Sequence, residues 1–194
     1  IIQCSEIIKK AKSKKDIFND PYYVAVGRLT KQKNYEFLIN TFAKNLDKFK
    51  VKKLIIIGDG EKKNALNKLI KNLKAEKNII VFDFQSNIYK YIINSEALIS
   101  VAHYEDPGFV ILEAAFLRKN IITSLVPNGP LEMYKHNNDM CYFFKKNDCE
   151  DLINSILKNE NEKKLKFFKN LAALKFSKQF TLFNHYNQIC KILS

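Results

Sequence analysis

The sequence predicts an α/β domain built on a parallel sheet that is wound on both faces. Three observations predict it. Short, continuously apolar runs such as YYVAV and KLIII alternate with longer segments whose apolar residues recur at helical spacing. Strands that are apolar on both sides belong in a sheet covered on both faces, and such sheets are parallel. Polar turns follow the strands (GRLTKQKN, GDGE, FQSN, HYEDPG, SLVPNGP), where doubly wound sheets bind ligands.

The elements follow in order. Tyr22 to Val26 is a strand closed by Gly27, and Asn34 to Phe49 is a helix with Phe37, Leu38, Phe42, Leu46 and Phe49 on one stripe. Lys53 to Ile57 is a buried strand stopped by GDGE, and Glu61 to Ala75 is helical through Ala65, Leu66, Leu69, Ile70 and Leu73. Asn78 to Phe84 is the third strand, Ile88 to Ile93 a short helix, and Ala97 to Ala102 the fourth strand. Pro107-Gly108 breaks regular structure, so the next helix runs from Phe109 to Leu117 on the stripe Val110, Ala114, Leu117. Asn120 to Ser124 and Met140 to Phe144 complete the strands. From Asp148 the tail is helical, with Leu152, Ile153, Ile156 and Leu157 on one face and a last amphipathic segment from Gln179 to Leu193. Right-handed crossovers make the whole a Rossmann-like domain with C-terminal helices.

The 194 residues suffice for one domain with an ordinary core. That domain is read as residues 21–194, with residues 1–20 a lead-in from an upstream domain. The lead-in is too charged for a signal peptide or a membrane span. Cys4, Cys141, Cys149 and Cys190 show no metal-binding or C-x-x-C spacing, so reduced thiols are expected and no metal site is. The formal charge of +13 admits nucleic acid, an anionic membrane face or an anionic substrate as partner. Nearly all of it is lysine spread along helical faces, with no aromatics interleaved on a basic strand, so nucleic acid is not expected. Arg28 and Arg118 are the two arginines, and an arginine where lysine is the default suits forked recognition of an oxyanion.

The candidate chemistry lies in the turns. Arg28 directly follows a strand and Lys33 precedes a helix, so both reach the space above the sheet. With the helix start after Pro107-Gly108 they would offer two cations and free backbone amides, which suits a diphosphate. The same two residues also fit simple capping and solvation. Glu105 ends a strand and Glu113 lies a turn inside the next helix. Carboxylates are acceptors only, so their partners would be sugar hydroxyls, one set on a ribose and one on a second sugar. A general acid and base pair for hydrolysis, or solvated surface acids, are the other readings of the two glutamates.

The succession VGRLTKQKN, IIIGDGE, VFDF, YEDPGFVILEAA and GPLEM over Tyr22 to Met133 resembles the C-terminal domain of retaining GT-B glycosyltransferases of the group 1, or family 4, type. The resemblance implies one half of a GT-B fold that binds a nucleoside diphosphate sugar, UDP-sugar favoured. It implies that Arg28 and Lys33 grip the diphosphate, Glu113 holds the ribose, Glu105 lies by the donor sugar, Gly108 and Phe109 present amides, and Phe84 and Gln85 frame the base. EDPG stands where the family has EGFG, Asn34 where it has glycine, and Arg118 where a helix-ending glycine is usual. PNGP resembles a subset that handles N-acetylhexosamines.

What the resemblance implies for function is transfer of the sugar to an acceptor hydroxyl with retention, in surface polysaccharide or glycolipid synthesis, without a metal. No D-x-D cluster is present. The acceptor would be bound by a missing N-terminal domain, leaving this chain inactive alone. A cytoplasmic location, peripheral on the inner membrane face with a lipid-linked acceptor, is expected. A non-catalytic nucleotide-binding module of the same fold is the alternative.

Overall fold

The computed structural model describes residues 4–11 and 18–193. Six parallel strands form one sheet: β1 (Tyr22–Val26), β2 (Lys53–Ile57), β3 (Ile79–Phe82), β4 (Ala97–Ser100), β5 (Asn120–Ser124) and β6 (Tyr142–Phe144). Their order is β3-β2-β1-β4-β5-β6. The helices are α1 (Cys4–Ala11), α2 (Tyr35–Lys44), α3 (Lys63–Asn72), α4 (Tyr89–Asn94), α5 (Phe109–Phe116), α6 (Gly129–His136), α7 (Cys149–Asn161), α8 (Lys163–Ser177) and α9 (Leu182–Leu193).

Both faces of the sheet are buried, which is why its strands read as unbroken apolar runs. Tyr23, Ala25, Leu54 and Ile56 face Leu38 and Phe42 of α2, Leu66 and Ile70 of α3, and Leu152 and Ile156 of α7. The alternate residues Tyr22, Val24, Ile55 and Ile57 face a second core with Tyr91 and Ile92 of α4, Ile111 and Leu112 of α5, Met133 of α6 and Phe176 of α8. Each large apolar side chain so buried contributes about 1.5–3 kcal/mol. Ile7 of α1, only 2% exposed, joins the second core, so part of the lead-in packs on the sheet domain.

The sequence-based boundaries run long where the chain turns before its apolar pattern ends. The third strand stops at Phe82, and Phe84 stands beyond it, 73% exposed. The fourth stops at Ser100 rather than Ala102, and the last begins at Tyr142 rather than Met140. The first long helix begins only at Tyr35, behind a 3-10 turn at Lys31–Lys33, because Asn34 adopts the left-handed conformation that asparagine tolerates. It ends at Lys44 and not Phe49, and the next helix is confined to Lys63–Asn72. Helix α6 replaces what reads as a turn at PNGP: Pro130 falls in its first turn, where a missing N–H costs nothing. The helical tail is divided in three. Its last segment starts at Leu182 and not Gln179, since the Thr181 hydroxyl accepts from the Asn184 amide at the helix start.

The loops after β1 and β2 touch backbone to backbone. Leu29 N–H donates to the Asp59 carbonyl at 2.8 Å and Lys62 N–H to the Leu29 carbonyl at 2.9 Å. A Cβ on Gly58 would lie 1.9 Å from the Gly27 carbonyl oxygen. Arg118, by contrast, is exposed with φ 56°, closing α5 where glycine would be unstrained. Opposite signs are therefore expected in urea unfolding: Gly58→Ala loses about 1–3 kcal/mol through forced backbone movement, whereas Arg118→Gly gains about 1 kcal/mol by relieving a left-handed side-chain position.

Candidate functional site

The strand order reverses between β1 and β4, the two central neighbours. The chain leaves β1 toward α2 on one face and leaves β4 toward α5 on the other, so their loops part and leave a crevice. A cavity of about 420 Å³ occupies it, lined by Gly27, Arg28, Gln32 and Lys33 from the first loop and by Ser100, Glu105, Asp106, Gly108 and Phe109 from the second. A second cavity of about 540 Å³ adjoins it along Val26, Gly27 and Arg28, and extends past Gly58 and Asp59 to Phe84, Gln85 and Tyr89. Arg28 thus stands at the junction of both.

Glu105 is buried, 5% exposed, and its two oxygens accept from the Lys33 ammonium at 2.9 and 2.8 Å. The Ser100 hydroxyl donates to the same carboxylate at 3.1 Å. The pair therefore ties the two loops across the crevice. Two more bonds reinforce the tie: His103 N–H to the Gln32 carbonyl at 2.8 Å, and the Gln32 side-chain amide to the Tyr104 carbonyl at 3.1 Å. Buried Tyr35 lies beneath, its hydroxyl pKa pushed up by burial and by the charge of Glu105. Lys33 thus enters the crevice already paired with a carboxylate.

Gly108 takes a left-handed conformation (φ 79°) as the residue before α5, and Ile111 N–H is the first bonded back to its carbonyl, at 2.9 Å. The amides of Phe109 and Val110 precede that bond and face no helical acceptor. Phe109 is half exposed at the cavity rim, and Pro107 is fixed from behind by Gly129, whose Cβ position would fall 1.9 Å from the Pro107 carbonyl oxygen. Asp106 adds a second carboxylate to the lining.

Glu113 lies apart from the other three charged candidates. It sits in the second turn of α5, partly buried, and accepts from the Tyr89 hydroxyl at 3.1 Å. Tyr89 lines the larger cavity beside Phe84 and Gln85, and its hydroxyl links Glu113 to that wall, although Glu113 itself lines neither cavity. Burial raises the Glu113 pKa, and the Tyr89 bond offsets part of the rise. The same charge and burial push the Tyr89 hydroxyl up to about 12. One turn of α4 thus holds two candidate residues, since the Tyr91 hydroxyl donates to the Gln85 side-chain oxygen at 3.2 Å. Sequence reading missed both tyrosines and Ser100. The signal for the tyrosines was available in YKY, two aromatics with polar tips on a short helix after the FQSN turn. Arg118 is exposed at the far end of α5 and lines neither cavity.

Among the described residues, no group of three or more histidines, cysteines or carboxylates is placed to hold a metal, and no helix is long and apolar enough to cross a membrane.

Residues 7–173 match the family model described as Glycosyl transferases group 1. The chain is 34% identical over 123 residues to an uncharacterized glycosyltransferase of Methanocaldococcus jannaschii, covering 63% of this chain and 30% of that protein. It is 29% identical over 155 residues to the N-acetylgalactosamine-N,N'-diacetylbacillosaminyl-diphospho-undecaprenol 4-alpha-N-acetylgalactosaminyltransferase of Campylobacter jejuni, covering 79% of this chain and 41% of that enzyme. Its fold is similar to the crystal structure of Anabaena HepE in complex with UDP, with a TM-score of 0.79 and 19% identity over 97% of this chain and 52% of that one. The chain thus spans well under half the length of these two sequence relatives.

The Tyr89 bond carries a sign that can be tested. Burial makes folded Glu113 hold its proton to higher pH than in the unfolded chain, so its ionisation costs stability that is regained as pH falls through the folded pKa. Tyr89→Phe removes the hydrogen bond that favours the ionised form. In carbon-13 titrations the Glu113 carboxyl of Tyr89→Phe should therefore titrate at higher pH than in the parent; an equal or lower midpoint contradicts the geometry.

Proposed function

From the premise that the chain belongs to the group 1 glycosyl transferases, we propose that the crevice binds a nucleoside diphosphate sugar, UDP-sugar first, as the donor half of a retaining enzyme. One observation carries the reading. The two cavities meet at Arg28, with Phe84, Gln85 and Tyr89–Glu113 on one side and Glu105, Gly108 and Phe109 on the other. Base, ribose, diphosphate and sugar are linked in that order, and the acceptors and donors along the trough follow it. Phe84 and Gln85 frame the base, and Glu113 accepts from the ribose hydroxyls. Arg28, with the Phe109 and Val110 amides, spans the diphosphate, and Glu105 accepts from a hydroxyl of the sugar while keeping Lys33 beside the phosphates.

Negative charge grows on the diphosphate as its bond to the anomeric carbon stretches. Arg28, Lys33 and the start of α5 stabilise that charge, and a preorganised group of this kind is worth about 2.7–4 kcal/mol of barrier. The sugar passes through an oxocarbenium-like state and the acceptor hydroxyl enters on the face the diphosphate leaves, its proton passing to the departing phosphate oxygen as the new C–O bond forms, with no metal required in this reading. In this reading a second domain, for which the greater length of the matched relatives leaves room, supplies the acceptor side, and this chain alone binds donor without transferring sugar. The Campylobacter relative is named for an acceptor on diphospho-undecaprenol and another relative for a diacylglycerol product, which supports a lipid-linked acceptor on an anionic membrane face.

Calorimetric titration with UDP, GDP and ADP tests the reading. Arg28→Ala and Glu113→Ala should each weaken UDP at least about tenfold, the loss of one charge-assisted bond. Unchanged affinity in both variants, or no nucleotide binding by the parent chain, would remove the proposal.

A further inference from the structure

The wall of the larger cavity beside Phe84 carries a polar side chain whose direction the fold decides. Gln85 lines that cavity and is partly buried. Its side-chain oxygen accepts from the Tyr91 hydroxyl at 3.2 Å, and its side-chain nitrogen donates to the Asp83 carbonyl at 3.4 Å. A phenol can donate or accept, so the Tyr91 end alone would let the amide sit either way. The Asp83 end decides, because turning the amide over would set its oxygen against a carbonyl oxygen. Oxygen toward Tyr91 and nitrogen toward Asp83 is the arrangement that satisfies both contacts.

Both partners are themselves fixed. Tyr91 is 5% exposed and packs in the core that also holds Tyr22, Val24, Ile55 and Ile57, with its ring 6.1 Å from that of Phe82. Its own carbonyl accepts from the Tyr22 hydroxyl of β1 at 2.8 Å, which pins α4 to a central strand. Asp83 follows β3 directly, and its carboxylate is paired with Lys63 of α3. The orientation of one amide at the cavity wall is thus set from the core of the domain.

The amide nitrogen carries two N–H groups, and the Asp83 carbonyl takes one. The other is the donor that the side chain has left for a ligand in the cavity it lines. We propose that Tyr91 is a positioning residue that presents Gln85 to the base as a donor, so that the crevice selects a base with a ring carbonyl, as in uracil, over one with an amino group in its place, as in cytosine. This rests on the donor reading above and adds to it a chemical rule for the base. Two donors set against each other leave both unpaired, which is the mismatch that a hydrogen-bonding site rejects most strongly. Asp59 is the rival on the same walls, an exposed carboxylate that only accepts and would favour the amino group. Ser86, which both donates and accepts, favours neither.

Calorimetric titration with UDP and CDP, which carry the same ribose and diphosphate, tests it. The parent should bind UDP at least about tenfold more tightly than CDP, the worth of one hydrogen bond made against one mismatched. Gln85→Glu keeps the side chain's length and replaces its donors with acceptors, so CDP should overtake UDP whatever the added charge does to both. Tyr91→Phe frees the amide to turn, so the ratio of the two affinities should fall toward one; a merely structural role would weaken both nucleotides alike and leave the ratio as it was. Gln85→Glu, at the cavity wall, carries the test by itself if Tyr91→Phe does not fold. Equal affinities in the parent, a preference for CDP, or a UDP preference that survives Gln85→Glu refutes the rule and leaves the donor reading standing. Binding of neither nucleotide removes both.

Discussion

The reversal of strand order between β1 and β4 is the constraint on which the rest of the structure depends. Each connection must return right-handed to a parallel neighbour. The chain builds β1 to β3 outward in one direction with α2 and α3 on one face, and must then cross the sheet to continue with β4. At that one place adjacent strands send their loops to opposite faces. The gap holds Arg28, Lys33, Glu105 and the start of α5 within reach of one another although they are far apart along the chain. None of these residues makes the crevice. The burial of both faces of the sheet does, and the polar residues are placed at its mouth by the ends of buried strands.

A gap between loops needs something to keep it in one shape, and the Lys33–Glu105 pair supplies it. A buried ion pair adds little net stability, because desolvation offsets most of its Coulomb energy. Removing Lys33 is different, since it strands the Glu105 carboxylate, whose side chain is only 6% exposed, at a cost of about 3–5 kcal/mol. The pair is therefore better understood as a fastening than as a source of stability. It fixes the distance between the two loops, and with the bonds of Gln32 it limits how far either can shift independently.

The fold was legible almost in full, and the site in part, for physical reasons that differ. A strand buried on two faces must be apolar throughout, so YYVAV, KLIII and ALIS announce themselves. Helix α6 did not, because PNGP carries the same residues whether it turns or starts a helix. Arg28, Lys33, Glu105 and Gly108 were legible because strand ends mark where ligand space opens, and all four line one cavity. Their pairing was not, because a contact across 72 positions has no local signature. The partners of Tyr89 and Tyr91 were hidden for the same reason. Nothing in YKY says that one hydroxyl meets Glu113 on α5 and the other Gln85 before α4. The N-terminal lead-in reads as charged, yet two apolar residues of α1, Ile7 and Ala11, are buried where that helix docks.

The distribution of charge separates two roles that the total of +13 runs together. The crevice is lined by two cations, Arg28 and Lys33, and two carboxylates, Glu105 and Asp106, so its formal charge is zero. On the proposed function, attraction of a diphosphate from a distance would come from lysines elsewhere on the surface, whose combined field raises the encounter rate and is screened within about 8–10 Å at physiological salt. Its retention would come from fixed dipoles and from the orientation of charges within the cavity. Arg28 is the cation there that no carboxylate of the described residues holds at salt-bridge distance, and the first amides of α5 precede the helical hydrogen bonds at the same cavity without carrying any net charge. A neutral lining with oriented donors favours an anion that also carries hydroxyl groups over a bare one, because the two carboxylates repel charge but accept from hydroxyls. On the proposed function, discrimination for a sugar-bearing diphosphate over free phosphate would follow from the acids, and it is the acids, rather than the abundance of lysine, that distinguish this crevice from the rest of a basic surface.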